Sequence, residues 1–128
     1  RTRKRMVSLG LMPLLEKADN LILSEPISYI RFMNLIFNCR FALTDSGGLQ
    51  EETTYLGIPC LTLRPNTERP ITIHEGSNRL CDLDNFEEHV NELLSKKSFY
   101  KCKIDLWDGR TADRVVASIK SYLKSPAK

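Results

Sequence analysis

At 128 residues the chain has the length of one domain, and two would be cramped. Hydrophobic residues make up 41% and charged residues 27%, a balance that excludes a disordered chain. The net charge of +3 is too mild to imply nucleic acid, and no apolar run approaches the ~20 residues that cross a bilayer. With no signal-peptide pattern at the start either, the expectation is a cytoplasmic domain with no membrane and no nucleic-acid partner.

In chain order, Arg1-Thr2-Arg3-Lys4-Arg5 carries much of the positive excess. Met6 and Leu9 follow it at helical spacing, which predicts a solvated helical turn in preference to polyanion contact. Helix-like sequence that begins without a lead-in is expected of a segment of a longer chain. Residues 21–24 (Leu-Ile-Leu-Ser) predict a strand ended by Glu25-Pro26. Residues 28–37 predict a helix with Tyr29, Phe32, Met33, Ile36 and Phe37 along one face.

Phe41-Ala42-Leu43-Thr44 is a second predicted strand, and residues 49–56 a helix stopped by Gly57, with Pro59 beyond. Cys60-Leu61-Thr62-Leu63-Arg64 follows as a third strand, then a polar loop over 65–76 and a short strand over 78–81. The next helix spans 86–96 with Phe86, Val90, Leu93 and Leu94 inward. After the turn at Asp108-Gly109, the last helix spans 111–123. Its predicted buried stripe is Ala112, Val115, Val116, Ile119, Tyr122 and Leu123. Near-continuously apolar strands separated by helices predict right-handed βαβ crossovers and a parallel sheet covered on both faces. The fold class is α/β: a Rossmann-like parallel sheet with flanking helices.

The four cysteines, at 39, 60, 81 and 102, lack any zinc-ligand spacing and read as buried free thiols.

In a parallel sheet, ligands collect at the carboxyl ends of the strands. The strand at 41–44 runs directly into Asp45-Ser46-Gly47-Gly48 and a helix. Gly47 and Gly48 have no side chain to block a ligand, so backbone N–H groups and the helix dipole can face an anion. Ser46 can cap the helix or donate its hydroxyl to a phosphate oxygen. Taken alone, the same residues also make an ordinary helix cap. Glu51 reads as solvated helix surface. Glu52, about one turn beyond Gly48, can project over the rim and accept hydrogen bonds from both ribose hydroxyls. Arg64, at the end of a strand, is placed for phosphate or for pairing with Glu52, and structural pairing competes with nucleotide contact for Arg69. His74 reads as a surface residue in a loop.

Together these residues resemble the non-hydrolysing UDP-N-acetylglucosamine 2-epimerases, two-domain proteins of the GT-B fold. The resemblance runs through Glu25-Pro26, Tyr29 and Phe32, then 43–52, Leu56-Gly57-Ile58-Pro59, Leu63-Arg64 and Thr67-Glu68-Arg69-Pro70. It continues through 75–80 and closes with Trp107-Asp108-Gly109-Arg110-Thr111-Ala112-Asp113-Arg114. It implies that residues 1–128 are part of the C-terminal, nucleotide-binding half of a GT-B fold, lacking its first strands. Ser46, Gly47 and Gly48 would be the diphosphate cradle, Glu52 the ribose ligand, Phe32 a wall of the uracil pocket and Arg69 the basic group near the nucleotide. Helix-stripe core is the competing reading of Phe32.

The implied partner is a UDP-sugar, with no cofactor and no metal. The implied reaction is isomerisation at C2 in cell-surface polysaccharide biosynthesis. It runs by anti-elimination of UDP to a 2-acetamidoglucal and re-addition, on acids outside this chain, so the chain alone would be inactive. A GT-B glycosyltransferase domain and a non-catalytic UDP-sugar-binding module are the alternatives. Without neighbouring strands, the segment 21–24 would pair differently or expose apolar edges, which predicts a homodimer.

Overall fold

The structure is a computed structural model and describes residues 2–95 and 102–124. Arg1 of the basic run and Lys96 of the predicted helix 86–96 lie outside them. The chain forms two compact units, Arg1–Arg31 and Phe32–Lys128.

In the first unit, α1 (Thr2–Ser8) and α2 (Met12–Glu16) bury no residue. Arg3 pairs with Glu25 at the surface, where an ion pair is worth little. The strand expected at 21–24 does not form. Residues 21–28 have no regular structure, and Ile22 is 90% exposed. A strand is stabilised by ladder hydrogen bonds and cross-strand side chains, and among the described residues none lies alongside this one. An apolar run alone supplies neither.

In the second unit the sheet has three parallel strands, β1 (Ala42–Thr44), β2 (Cys60–Leu63) and β3 (Asn78–Cys81), in that spatial order. Ala42 pairs with Cys60, which in turn pairs with Asn78, so the carboxyl ends of the strands lie side by side. Successive residues of a strand face opposite ways, and the core divides accordingly. Cys60 joins Ile36, Ala42 and Ile58, with Phe32, Cys39, Leu49 and Leu56 packed against them. Leu61 joins Cys81 and Leu93 on the other face, flanked by Phe41, Leu63, Phe86 and Val90.

The first face is covered by α3 (Tyr29–Asn38) and α4 (Gly47–Leu56), the second by α6 (Phe86–Ser95). On α3, Ile36 is buried and Phe32 and Met33 half-buried. Tyr29 and Phe37, expected on the same face, are exposed. On α6 the stripe at 86, 90 and 93 packs inward, whereas Leu94, at its edge, is exposed and accepts a hydrogen bond from Arg40 Nη2 on its carbonyl (2.8 Å).

Gly57 ends α4 in the left-handed conformation (φ 70°), with the Ile58 N–H bonded to Thr53 O at 2.9 Å and the Gly57 N–H to Thr54 O at 3.1 Å. This pair of bonds is a Schellman motif, at the glycine stop that the sequence predicts. The loop expected over 65–76 contains a short helix, α5 (Ile71–His74). Pro70 sets its start (φ −59°), and Thr72 Oγ1 donates to Arg69 O at 2.7 Å. The last helix, α7 (Thr111–Lys124), forms as predicted but buries nothing: Val115, Val116, Ile119, Tyr122 and Leu123 are all exposed. Its apolar stripe is real in the sequence, and no element among the described residues covers it.

The four thiols are free. Cys60 and Cys81 are buried, but Cys39 and Cys102 are only half-buried. Burial pushes the Cys60 thiol up, away from the reactive thiolate.

Candidate functional site

The turn at 44–48 stands where β1 gives way to α4. Ser46 occupies the N-cap position in an extended conformation (φ −86°, ψ 123°), and its backbone N–H donates to Thr44 Oγ1 at 3.0 Å. Its hydroxyl makes no capping bond. The first-turn N–H groups therefore lack the side-chain partner that usually satisfies them. Around the two glycines the surroundings differ. A Cβ on Gly48 would meet nothing within 4 Å, whereas one on Gly47 would stand 3.1 Å from Glu68 Oε1 and 4.0 Å from Arg69 Cγ. Gly48 is open as expected. Gly47 faces the Thr67–Pro70 segment.

That segment carries the charge of the site, and the pairing differs from expectation. Arg64 donates to Glu68 Oε2 at 3.2 Å rather than pairing with Glu52. A hydrogen bond from its own backbone N–H and the Arg64 charge hold the Glu68 carboxyl below the usual carboxylate range. Arg69 pairs with Glu51, which is therefore more than solvated surface: Nε lies 3.1 Å from Oε1. The two atoms are close enough for Coulomb attraction but misaligned for a hydrogen bond, which leaves Arg69 Nε without a hydrogen-bonded partner. Glu52 is half-buried on α4.

The structure thus brings Gly47, Glu68, Arg69 and Glu51 together beside the open Gly48. Phe32 packs instead against the core of Ile36, Ala42, Ile58 and Cys60. His74 is exposed at the end of α5. Among the described residues, no group of three or more His, Cys, Asp or Glu side chains is placed to hold a metal ion.

Behind the turn lies a set of groups that the sequence reading passed over. Gln50, Thr53, Thr54, Thr62 and Thr72 are fully buried, and Asn78 nearly so. Gln50 Oε1 accepts from Thr67 Oγ1 (2.6 Å) and Asn78 Nδ2 (3.2 Å). Asn78 Oδ1 accepts from Thr62 Oγ1 (2.7 Å). Positions 50, 53 and 54 share one helix face, and polar residues at that spacing point to solvent, so the sequence carries no signal of their burial.

The Trp107–Arg114 motif forms a local clasp. Arg114 Nη1 bonds both Asp108 carboxylate oxygens at 3.0 Å, Nη2 reaches Leu106 O at 2.7 Å, and the Arg110 N–H donates to Asp108 Oδ1. The Arg114 bonds, then that N–H, lower the Asp108 carboxyl from 3.8 to about 2. A depressed carboxyl contributes stability that is full above its unfolded value of 3.8 and fades as pH falls to about 2. The Asp108 carboxyl-carbon resonance should therefore titrate near pH 2, and Arg114→Met should return its midpoint toward 3.8.

A parallel α/β sheet with a glycine turn opening a helix at its carboxyl edge defines a Rossmann-like domain, the architecture of the C-terminal half of a GT-B fold. The profile of the family described as UDP-N-acetylglucosamine 2-epimerase matches residues 1–120. The chain belongs to that family.

It is 39% identical over 119 residues to the UDP-N-acetylglucosamine 2-epimerase of Methanocaldococcus jannaschii, covering 91% of this chain and 32% of the relative. To the Salmonella typhimurium enzyme of the same name it is 36% identical over 115 residues, covering 85% and 31%. The crystal structure of the M. jannaschii protein in complex with UDP-GlcNAc and UDP superposes with a TM-score of 0.79 at 36% identity, over 94% of this chain and 33% of that one. The chain spans about a third of the length of the curated relatives it matches.

Proposed function

We propose that residues 1–128 are part of the C-terminal, UDP-binding domain of an isomerase that interconverts UDP-N-acetylglucosamine and UDP-N-acetylmannosamine. The observation that carries this reading is the uncapped N-terminus of α4, open over Gly48, in a chain of this family. In the proposal the Gly47 and Gly48 N–H groups and the Ser46 hydroxyl hold the diphosphate, and Arg69 adds positive charge beside it. The Glu52 carboxylate takes the ribose hydroxyls, and the exposed part of half-buried Phe32 meets the uracil.

Epimerisation by elimination breaks the C1–O bond, so negative charge grows on the departing UDP. N–H groups and a helix dipole already aimed at the diphosphate stabilise that charge without reorganising. The same contacts keep UDP in place for re-addition at C1, while the proton that inverts C2 arrives on the opposite face. Proton transfer at C2 is assigned to groups outside this chain, and no cofactor is required.

The homodimer belongs to the same proposal, supported by the exposed apolar residues of 21–24 and α7. A nucleotide-sugar substrate places the reaction, a supply step for cell-surface polysaccharide, in the cytoplasm. No helix among the described residues is long and apolar enough to cross a membrane.

The test is incubation of the full-length protein with UDP-N-acetylglucosamine in D2O. UDP-N-acetylmannosamine carrying deuterium at C2 is the expected product. Folded protein without turnover, or sugar transfer to an acceptor with C2 unchanged, overturns the proposal.

A further inference from the structure

The buried amides behind the turn do more than fill space. Apolar side chains on α4 would pack against the sheet with no polar group to satisfy, whereas buried amides and hydroxyls lose several favourable contacts with water and regain only matched partners. What such a network supplies is placement, because each bond has a required distance and direction.

Its bonds converge on one residue. The Arg69 N–H donates to Thr67 Oγ1 at 3.0 Å, and Thr72 Oγ1 donates to Arg69 O at 2.7 Å. Both polar groups of the Arg69 backbone are therefore held by threonine hydroxyls. Each hydroxyl is anchored in turn to a buried amide: Thr67 donates to Gln50 Oε1 (2.6 Å), and Asn78 Nδ2 donates to Thr72 Oγ1 (3.1 Å). The amides bond one another, Asn78 Nδ2 to Gln50 Oε1, and stand on β3 and on the first turns of α4. The position of Arg69 is thus referred directly to the helix whose N-terminus is the candidate phosphate site. At the end of this chain of bonds its Cγ lies 4.0 Å from the Cβ position of Gly47.

We infer that Thr67, anchored by Gln50 and Asn78, is a positioning residue that sets Arg69 beside the diphosphate. This rests on the UDP-binding reading above and adds to it a group that never touches the ligand. Thr67 is half-buried, so valine fits its space while removing the hydroxyl that both donates to Gln50 and accepts from Arg69.

The experiment is a double-mutant cycle, with UDP affinity of the full-length protein read by calorimetry. Thr67→Val is expected to weaken UDP binding about tenfold, and Thr67→Ser, which keeps the hydroxyl, to restore it. In an Arg69→Ala background, Thr67→Val should then produce no further loss. If Thr67→Val fails to fold, Thr67→Ala provides the same comparison. A lower melting temperature with UDP affinity unchanged, or the same tenfold loss with Arg69 already removed, overturns the positioning role while leaving the nucleotide site standing. Absence of UDP binding in the unaltered protein overturns both.

Discussion

Gly48→Asp is expected to lower UDP affinity about 100-fold, the scale of placing a like charge against a bound anion, while leaving the melting temperature unchanged or slightly raised. The two halves of this expectation have separate physical causes. A side chain on Gly48 meets nothing within 4 Å, so the folded chain accommodates it without strain. A glycine in a helix costs about 0.5–1 kcal/mol relative to alanine, and a carboxylate in the first turn gains about 0.3–1 kcal/mol from the helix dipole. Stability therefore has reason to rise. The carboxylate would, however, stand in the space proposed for the diphosphate and would itself take up the free N–H groups of α4. Calorimetry with UDP, run beside thermal unfolding, reads both. Unimpaired affinity in the variant would show that the ligand approaches elsewhere.

Gly76→Ala should act in the opposite sense, destabilising the domain through a site less exposed than Gly48. A Cβ there would lie 2.3 Å from Thr72 O, 2.6 Å from Thr54 Cγ2 and 2.8 Å from Thr54 Oγ1. The first of these is backbone in α5, which cannot rotate away as a side chain can. Thr54 and Thr72 are both fully buried, so neither can yield into open space. Overpacking of this kind costs about 1–3 kcal/mol or more. Against a total of roughly 5–15 kcal/mol for a domain, that is a large fraction. A drop in melting temperature of several degrees is expected, with partial recovery in Gly76→Ala/Thr54→Ala, which removes two of the three close atoms. A melting temperature equal to that of the parent chain would mean that the α5–β3 corner is looser than the structure shows.

How far the sequence discloses this molecule depends on whether a feature is local. Gly57 after Leu56, with Pro59 beyond, announces the end of α4 because the left-handed cap is a property of a few consecutive residues. The strands at 42–44 and 60–63 are legible because largely apolar runs bounded by turn residues suit a strand covered on both faces. Residues 21–24 look the same and are not a strand, since a ladder needs a neighbour that one segment's composition cannot report. The stripe on α7 is a genuine apolar pattern that stays exposed, for the same reason.

At the candidate site the glycine turn is local and was legible. The partner choices were not. Glu51 stands against Arg69, and Glu68 rather than Glu52 meets Arg64, because those distances depend on how the 65–70 segment folds back over α4. The Gln50–Asn78 pair joins residues 28 apart, and polar spacing at 50, 53 and 54 suggests an exposed face until the partners are known.

Whether the N-terminus of α4 holds the diphosphate of UDP is decided by a crystal structure of the full-length protein grown with UDP. Diphosphate oxygens are expected within hydrogen-bonding distance of the Gly47 and Gly48 N–H groups, with the Arg69 guanidinium beside them. UDP bound elsewhere, or an unliganded turn at saturating UDP, would contradict that placement.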